Sequence, residues 1–195
     1  MAIDFDAPHE EPDPWGYETH WYEKRRRALI SALLPDEKLG QVLEIGCSTG
    51  LITQMLAPRA RHVLAIDVSP KAVSLARERL QGLAHVEVVQ ADITQDWPAR
   101  SFDQILLCDV AYYLSEAQLS QLARNVRIQA SADCVLLLAH WRHPFAQVIT
   151  PAPAAHDLLA EVTGFARLAG YQDHDLLIDV LSASSVSVAQ KDGLL

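Results

Sequence analysis

Two kinds of apolar pattern alternate along the chain. Short, nearly continuous apolar runs such as 41–45 and 61–68 are typical of strands buried on both faces, and the segments between them carry apolar residues at helical spacing. Pro35 stops the first helical pattern, and Ser69 and Ser115 are the expected N-caps of two later helices. The patterns predict helices at 17–34, 50–57, 69–80, 115–128 and 156–168, and strands at 41–45, 61–68, 85–90, 102–110, 133–141, 171–181 and 184–190.

Strands that alternate with helices predict a parallel sheet with helices on both faces. We therefore expect an α/β fold: a Rossmann-like, doubly wound, seven-stranded sheet that is mostly parallel, with one antiparallel edge strand from the terminal hairpin. The acidic, proline-containing residues 1–14 predict a mobile arm. Residues 15–195 predict a single domain, and its first segment, 15–34, is the candidate N-terminal lid helix.

Composition and charge narrow the functional classes. Half of the residues are hydrophobic, which excludes a wholly disordered chain, and the formal net charge of −9 argues against a general nucleic-acid binder. The longest apolar run is too short to cross a bilayer and the N-terminus lacks a signal-peptide pattern, so we expect a cytoplasmic protein without a membrane span. Three widely spaced cysteines without a C-x-x-C pair favour reduced thiols. The sequence leaves the oligomeric state open.

The stretch LEIGCSTG, residues 43–50, is a glycine loop at the end of the first strand. Ser48 stands where a dinucleotide site needs its middle glycine, and no Lys-Ser or Lys-Thr pair follows Gly50, so neither a dinucleotide fingerprint nor a P-loop fits. Glu44 adds a carboxylate that would repel phosphates and attract a cation. The loop therefore indicates a ligand that carries a positive charge and no phosphate.

Further acidic residues follow later strands of the predicted sheet. Asp67, Asp92 and Asp109 stand just after strands, as does the stretch HWRH at 140–143. Ligands of such sheets bind beyond the carboxyl ends of the strands, at the point where the strand order reverses. We therefore expect these residues to surround one site.

With the two later acids, the glycine loop resembles the first motif of class I S-adenosylmethionine-dependent methyltransferases. The resemblance implies S-adenosyl-L-methionine as cofactor, Asp67 on its ribose hydroxyls and Asp92 on its adenine amino group. The expected cofactor-binding set is Trp15, Tyr22, Arg25, Glu44, Gly46, Gly50, Asp67, Val68, Ala91, Asp92 and Ile93.

One branch of these enzymes is more similar still, the nodulation protein S-like methyltransferases. The stretches that carry this resemblance are DPWGYETHWYEKRRRALISALLP, CDVAYYL and AHWRHP, within residues 13–145. It implies N-methylation of the free amine of a partly deacetylated chitooligosaccharide, so the expected partner is an amino sugar or oligosaccharide. The alternatives are a methyltransferase for another small metabolite, at nitrogen or oxygen, a nucleotide-binding oxidoreductase, and a non-catalytic ligand-binding module.

Aromatic and basic residues cluster around the start of the first helix. Trp15 and Tyr22 suit packing on adenine or substrate, and Arg25 or Lys24 suits the methionyl carboxylate. We predict that residues from about 15 to 27 form a lid that the cofactor orders. The alternative is an ordinary helix docked on the sheet.

The acceptor side is predicted from neighbouring strand ends. We expect His140 to take the proton of the amine, Asp109 to orient the amine or His140, and Tyr113 to form a wall of the sugar site. The alternative for His140 is a hydrogen bond to the loop that Trp141 anchors.

A metal site is not expected from the histidines of this region. His140, His143 and His156 suggest one at first sight, but Trp141, Arg142 and Pro144 make a helix-borne H-x-x-H motif unsuitable, and methyl transfer from a sulfonium needs no metal.

Overall fold

The chain folds around one central sheet, seen here in a computed structural model that describes residues 3–11 and 13–195. The strands are β1 Gly40–Ile45, β2 Ala60–Asp67, β3 Val86–Gln90, β4 Phe102–Cys108, β5 Ala130–Trp141, β6 Ala166–Gln172 and β7 Leu176–Ser182. The α-helices are α1 Trp21–Leu33, α2 Leu51–Leu56, α3 Pro70–Arg79, α4 Glu116–Gln129, α5 Ala152–Thr163 and α6 Val188–Lys191. Short 3₁₀ turns span Ala7–Glu10, Pro14–Gly16, Ala57–Arg59 and Ala111–Tyr113.

The sheet has the strand order β3-β2-β1-β4-β5-β7-β6, and all strands but β7 run parallel. The predicted seven-stranded, mostly parallel, Rossmann-like sheet is thereby confirmed. The reversed strand β7 lies one position in from the edge, because β6 pairs with its outer side. Since β1 lies between β2 and β4, the strand order reverses at the end of β1, where a ligand site is expected.

Alternate residues of the central strands face two separate core layers. Leu43 and Ile45 of β1 pack with residues of α4 and α5, whereas Val42 packs with Ile30 of α1 and Leu56 of α2. Strands buried on both faces explain the continuous apolar runs of the sequence. Glu44 lies two residues after Val42 on β1, so its side chain points to the same face of the sheet, toward α1 and α2.

The predicted helix starts at Ser69 and Ser115 are confirmed. The Ser69 side chain accepts a hydrogen bond from the backbone N–H of Ala72 at 3.0 Å. Ser115 forms a reciprocal capping box with Gln118. Both contacts satisfy backbone N–H groups that have no partner inside the helix.

The C-terminal elements differ from their predicted positions. The predicted helix at 156–168 begins earlier and ends at Thr163, because Gly164 adopts a left-handed conformation with φ of 69°. The polar residues 173–175 form a turn inside the predicted strand 171–181, so the closing hairpin is β6 and β7 instead of strands at 171–181 and 184–190. The stretch predicted as the last strand, 184–190, is not a strand, and its end overlaps the short helix α6.

The N-terminal arm packs against the carboxyl edge of the sheet. Asp6 accepts a hydrogen bond from the Ser69 hydroxyl, His9 Nε2 lies 3.0 Å from the Ser48 hydroxyl, and the ring of Phe5 meets that of Tyr113 at 5.2 Å. Of the predicted arm 1–14, residues 1, 2 and 12 lie outside the described residues. Within the described ranges, no helix combines the length and the apolar character that a membrane crossing requires.

Candidate cofactor and acceptor site

The glycine loop leaves bare backbone at the reversal of strand order. Gly46 and Gly50 have φ of 77° and 81°, and Ser48 shares the left-handed region with φ of 48°. A Cβ atom on Gly46 would lie 2.2 Å from Cγ2 of Val110, so no larger residue fits there. Both predicted loop positions therefore require glycine, through their left-handed backbone and their close packing against neighbouring side chains.

A cavity lies between this loop and α1. Its volume is about 30 Å³, and residues of the loop, of α1 and of the strand ends line it, among them Tyr17, Glu23, Arg26, Glu44, Gly46 and Cys108. A space of this size holds one or two water molecules, far less than a nucleoside. A larger ligand does not fit within this space as it stands.

Arg26 is the central charged group of this cavity. It is 3% exposed, its Nη1 lies 2.9 Å from Glu23 Oε2, and its Nη2 lies 2.6 Å from Asp109 Oδ2. Burial opposes the charge on Arg26, but the two carboxylates outweigh it and hold the pKa of the guanidinium well above its ordinary value. Its Nε has no hydrogen-bond partner among the described residues.

Glu44 faces the same cavity with an unsatisfied oxygen. The Thr53 hydroxyl donates to Oε2, while Oε1 is buried without a partner in the described part of the chain. Burial raises the pKa of Glu44 to about 8; the Thr53 hydrogen bond acts in the opposite direction, and the charge of Asp67 adds to the rise. The carboxyl group is therefore largely protonated near pH 7 in this state.

Asp67 and Asp92 stand at the ends of β2 and β3, where the sequence predicts them. Asp67 accepts backbone N–H groups of Ser48 at 2.8 Å and Ser69 at 2.9 Å, and burial raises its pKa. Asp92 accepts two hydrogen bonds from Thr94 through Oδ1. A carboxylate accepts about four hydrogen bonds, so both side chains keep acceptor capacity for a ligand.

The other predicted contact residues on this side differ in exposure. Val68 is 41% exposed and offers an apolar surface beside Asp67, and Ala91 donates its N–H to the Asp67 carbonyl at 3.0 Å. Ile93 is 7% exposed and belongs to the core layer of α4 and α5. Trp15 is 52% exposed, with its ring 5.5 Å from that of His9.

Arg25, which with Lys24 was the predicted partner of a ligand carboxylate, has other partners in this structure. Arg25 Nη1 lies 2.8 Å from Asp173 Oδ2, and its Nη2 donates to the Tyr171 hydroxyl, both on the β6–β7 hairpin. The next residue, Arg26, takes the cavity position, because Arg26 and the fully buried Ile30 are four residues apart on one face of α1. Tyr22 packs edge-on against Trp141, with ring centroids 5.1 Å apart.

His140, predicted to accept the proton of the substrate amine, has other partners in this structure. His140 is fully buried, its Nε2 accepts the N–H of Ala111 at 2.9 Å and of Val110 at 3.3 Å, and its Nδ1 lies 2.8 Å from Nε2 of His156. Burial holds its pKa well below the ordinary value. The alternative, a histidine that holds a neighbouring loop, is the one observed, although the loop is 110–111 and not the one at Trp141.

His140 begins a buried chain of polar groups. Because its Nε2 accepts backbone N–H groups, its Nδ1 carries the proton and donates to His156. His156 then donates from Nδ1 to Asp179 Oδ2 at 2.8 Å, and Arg167 neutralises Asp179 with an Nε–Oδ1 distance of 3.0 Å. The charge of Asp179 fixes the tautomer of both rings and holds the turn at the end of β4.

Asp109 and Tyr113 lie on that turn, at the predicted edge. Asp109 has φ of 56°, accepts the N–H of Trp141 at 2.9 Å and pairs with Arg26, so it does not contact His140 by a side-chain hydrogen bond in the described structure. The partly exposed ring of Tyr113 meets the ring of Phe145 at 5.8 Å. Asp109 and Tyr113 follow Cys108, the residue of β4 that lines the cavity.

Comparison with known proteins assigns the chain to a family. A family model described as nodulation protein S matches residues 6–160. The chain belongs to the nodulation protein S family. Nodulation protein S of Sinorhizobium fredii is 32% identical over 105 residues, which cover 53% of this chain and 49% of that protein. Nodulation protein S of Bradyrhizobium diazoefficiens is 29% identical over 150 residues, 76% of this chain and 72% of that protein.

Solved structures place the nodulation protein S family in the same fold. A protein of Pseudomonas syringae described as a candidate methyltransferase is 38% identical, with a TM-score of 0.75 over 84% of this chain and 99% of that chain. The N-methyltransferase NodS of Bradyrhizobium japonicum, solved with S-adenosyl-L-homocysteine, is 24% identical, with a TM-score of 0.79 over 91% and 95%. In sequence, the chain spans about half the length of several curated relatives that it matches.

We expect removal of His156 to loosen the turn that borders the acceptor side. His156→Leu takes the acceptor from His140 Nδ1 and leaves Asp179 with Arg167 alone, which we expect to lower the free energy of unfolding by about 2–4 kcal/mol. Amide exchange of Val110 and Ala111 should accelerate more than exchange in α4. His156→Gln, which can accept from His140 through its amide oxygen, should recover part of the loss.

His62→Leu, at the half-buried start of β2, is the matched control and should change both measurements little. Denaturant unfolding and amide exchange of the purified variants provide the test. If His156→Leu were as stable as the control, the chain of polar groups would not hold the turn.

Proposed function

We propose that the chain is an S-adenosyl-L-methionine-dependent methyltransferase that N-methylates the free amine of an amino sugar or chitooligosaccharide-like small molecule. The observation that carries the proposal is that two buried residues beside the glycine loop, Arg26 and Glu44, each have a polar atom without a hydrogen-bond partner among the described residues. A buried polar atom without a partner is costly, and a ligand that pairs with it removes the cost.

The donor set fits the methionyl end of the cofactor. Its carboxylate would pair with Arg26, and its ammonium with Glu44, which becomes charged when a cation lies beside it. Asp67 retains acceptor capacity for ribose hydroxyls and Asp92 for the adenine amino group. No arginine or lysine points into the cavity from the glycine loop itself, which agrees with a ligand that carries no phosphate.

The segment before β1 is proposed as a lid, and the size of the cavity supports this. The cofactor cannot enter a space of about 30 Å³ unless α1 and the arm move away from the loop. On the side of the glycine loop, His9 contacts Ser48 and Asp6 contacts Ser69. On the side of the strand ends, Arg26 closes the cavity through its ion pair. Closure of such a segment excludes water from the reacting groups.

The charge arrangement suggests how cofactor binding prepares the acceptor side. When bound, the cofactor supplies an activated sulfonium methyl group, so the protein has mainly to align the groups and exclude water. A ligand carboxylate on Arg26 competes with Asp109, which Arg26 holds at 2.6 Å. Asp109 would then be free to accept a hydrogen bond from the acceptor amine and to favour departure of its proton.

The acceptor class rests on family membership and on the aromatic surface beside Asp109. Tyr22 packs on Trp141, and Tyr113 and Phe145 lie along the adjoining edge. Aromatic faces beside a carboxylate suit a saccharide ring that carries an amine. Another small metabolite methylated at nitrogen or oxygen is the alternative, and the choice of acceptors in the assay separates the two.

Cofactor affinity tests the proposed role of Arg26. Arg26→Gln should weaken binding of S-adenosyl-L-homocysteine by about 10- to 150-fold, since a charge-assisted hydrogen bond contributes roughly 1.5–3 kcal/mol. The matched control is Arg25→Gln on the same helix, which should change the affinity less than about threefold because Arg25 binds the hairpin. Titration calorimetry gives the affinities.

Thermal unfolding of the Arg26 variant shows whether it still folds, and Arg26→Lys keeps the charge if it does not. Amide exchange of residues 13–27 should slow when the wild-type protein binds S-adenosyl-L-homocysteine. Equal affinity of the Arg26 and Arg25 variants would contradict the carboxylate site, and tight NAD binding without S-adenosyl-L-homocysteine binding would contradict the whole proposal.

Turnover tests the acceptor side. Release of S-adenosyl-L-homocysteine should be seen with a glucosamine oligosaccharide and not with its fully N-acetylated form. Asp109→Asn, which tolerates the left-handed backbone of this position, should lower kcat/KM at least about tenfold through loss of one charge-assisted hydrogen bond. Its cofactor affinity should be unchanged or higher, because Asp109 no longer competes for Arg26. Methylation of hydroxyl acceptors alone would contradict the amine assignment.

A further inference from the structure

A second polar cluster lies where the loop after β5 meets the turn between β6 and β7. It consists of His143, His174 and Asp175, whose nitrogen and oxygen atoms all lie within 4.8 Å of one another. Asp175 Oδ1 lies 2.7 Å from His143 Nε2 and 3.1 Å from His174 Nδ1. The centroids of the two imidazole rings lie 4.9 Å apart, and the ring planes are tilted by 50°. Neither the cofactor site nor the acceptor side uses these three side chains.

The backbone holds the three side chains together without any ion. Asp173 Oδ1 accepts the N–H groups of Asp175 and Leu176 at 2.9 and 2.8 Å, which fixes the turn. Arg142 donates its N–H to the Asp175 carbonyl at 2.9 Å and so joins the β5 loop to that turn. The ring of His143 packs against Trp141 at 4.7 Å. Side chains that are already held close together lose little conformational entropy when they bind a metal ion.

The donor types select a class of metal. Two imidazoles and one carboxylate suit zinc and neighbouring divalent transition metals, whereas magnesium and calcium prefer oxygen donors alone. The side chains of His143, His174 and Asp175 are 35%, 85% and 44% exposed, so an ion can enter from solvent and complete its coordination with water.

The local charges are compatible with a cation. Asp175 supplies the one carboxylate of the three groups. Without a metal, the imidazole N–H groups donate to this carboxylate, and these nitrogens would lose their protons when they coordinate the metal. Arg25 is engaged by the Asp173 carboxylate, and the Arg142 guanidinium donates to the Asp173 carbonyl. Both arginine side chains are thereby held by the turn itself.

We propose that His143, His174 and Asp175 bind one divalent transition metal ion, with zinc as the best match, and that the ion ties the β5 loop to the β6–β7 turn. The turn also carries Asp173, the partner of Arg25 on α1. The ion would therefore stiffen the edge on which the proposed lid helix rests. The inference does not depend on the methyltransferase assignment, since it concerns metal binding alone.

Zinc chloride is the probe for this site. The full chain, freed of metal with a chelator, should bind one equivalent of zinc in titration calorimetry and should not bind magnesium. At zinc concentrations 100 times the dissociation constant, Tm should rise by about 5–10 °C for a chain of this size. Binding should weaken on acidification, because an imidazole must lose its proton to coordinate a metal.

Two variants with a matched control locate the site. His174→Ala and Asp175→Asn should each lower zinc affinity at least about tenfold, since each removes one of three ligands. His62→Ala, at the start of β2 and away from the cluster, should bind zinc as the wild type does. His174 is 85% exposed, so its replacement should leave the fold intact, as circular dichroism can verify. Absence of zinc binding by the wild type, or equal affinity in His174→Ala and His62→Ala, would overturn the proposal.

Discussion

The site depends on one buried ion pair, that between Arg26 of α1 and Asp109 at the end of β4. It joins the segment before the sheet to the strand ends across the cavity. A buried pair of this kind gains little net stability against apolar packing, but loss of one partner is costly. Such a pair is therefore well suited to a contact that is made and exchanged, where one carboxylate can replace another on the same guanidinium.

Glu44 completes this arrangement through its protonation. A carboxyl group that burial keeps largely neutral can lie near Asp67 without repulsion. When a cation occupies the cavity, the same group can ionise and pair with it. The free protein thus avoids an unpaired buried anion, and in the proposed function the bound state would gain an ion pair. The chain of His140, His156 and Asp179 acts on the other side of Asp109, where it holds the backbone turn in place.

The sequence predicts the fold well where patterns are local. Continuous apolar strands, the caps at Ser69 and Ser115 and the glycine loop all follow from residue spacing, and each is confirmed. The predicted positions of the C-terminal hairpin strands were wrong. The apolar residues around 171–181 suggested one strand, and the polar turn at 173–175 inside it was missed. The acids after β2, β3 and β4 lie at the predicted edge because parallel strands end together.

The identity of the inward-facing side chains was harder to predict. Three consecutive arginines, 25–27, differ only in helical phase, and the phase set by buried Ile30 singles out Arg26. His140 lies near the carboxyl end of β5, as a catalytic residue often does, but α5 brings His156 against it and the ring is fully buried. Asp179 lies in an apolar strand, and a lone charge there is the one signal in the sequence that marks a buried polar network.

The proton balance of cofactor binding tests the account most directly. Calorimetric titration of S-adenosyl-L-homocysteine near pH 7, in two buffers of different ionisation enthalpy, gives the number of protons exchanged. Since burial raises the pKa of Glu44 to about 8 in the free protein, the carboxyl group is mostly protonated and should release a proton when the ligand ammonium lowers that pKa. Glu44→Gln should lack this release. Equal proton exchange by the wild type and Glu44→Gln would contradict the proposed pairing of Glu44 with the ligand ammonium.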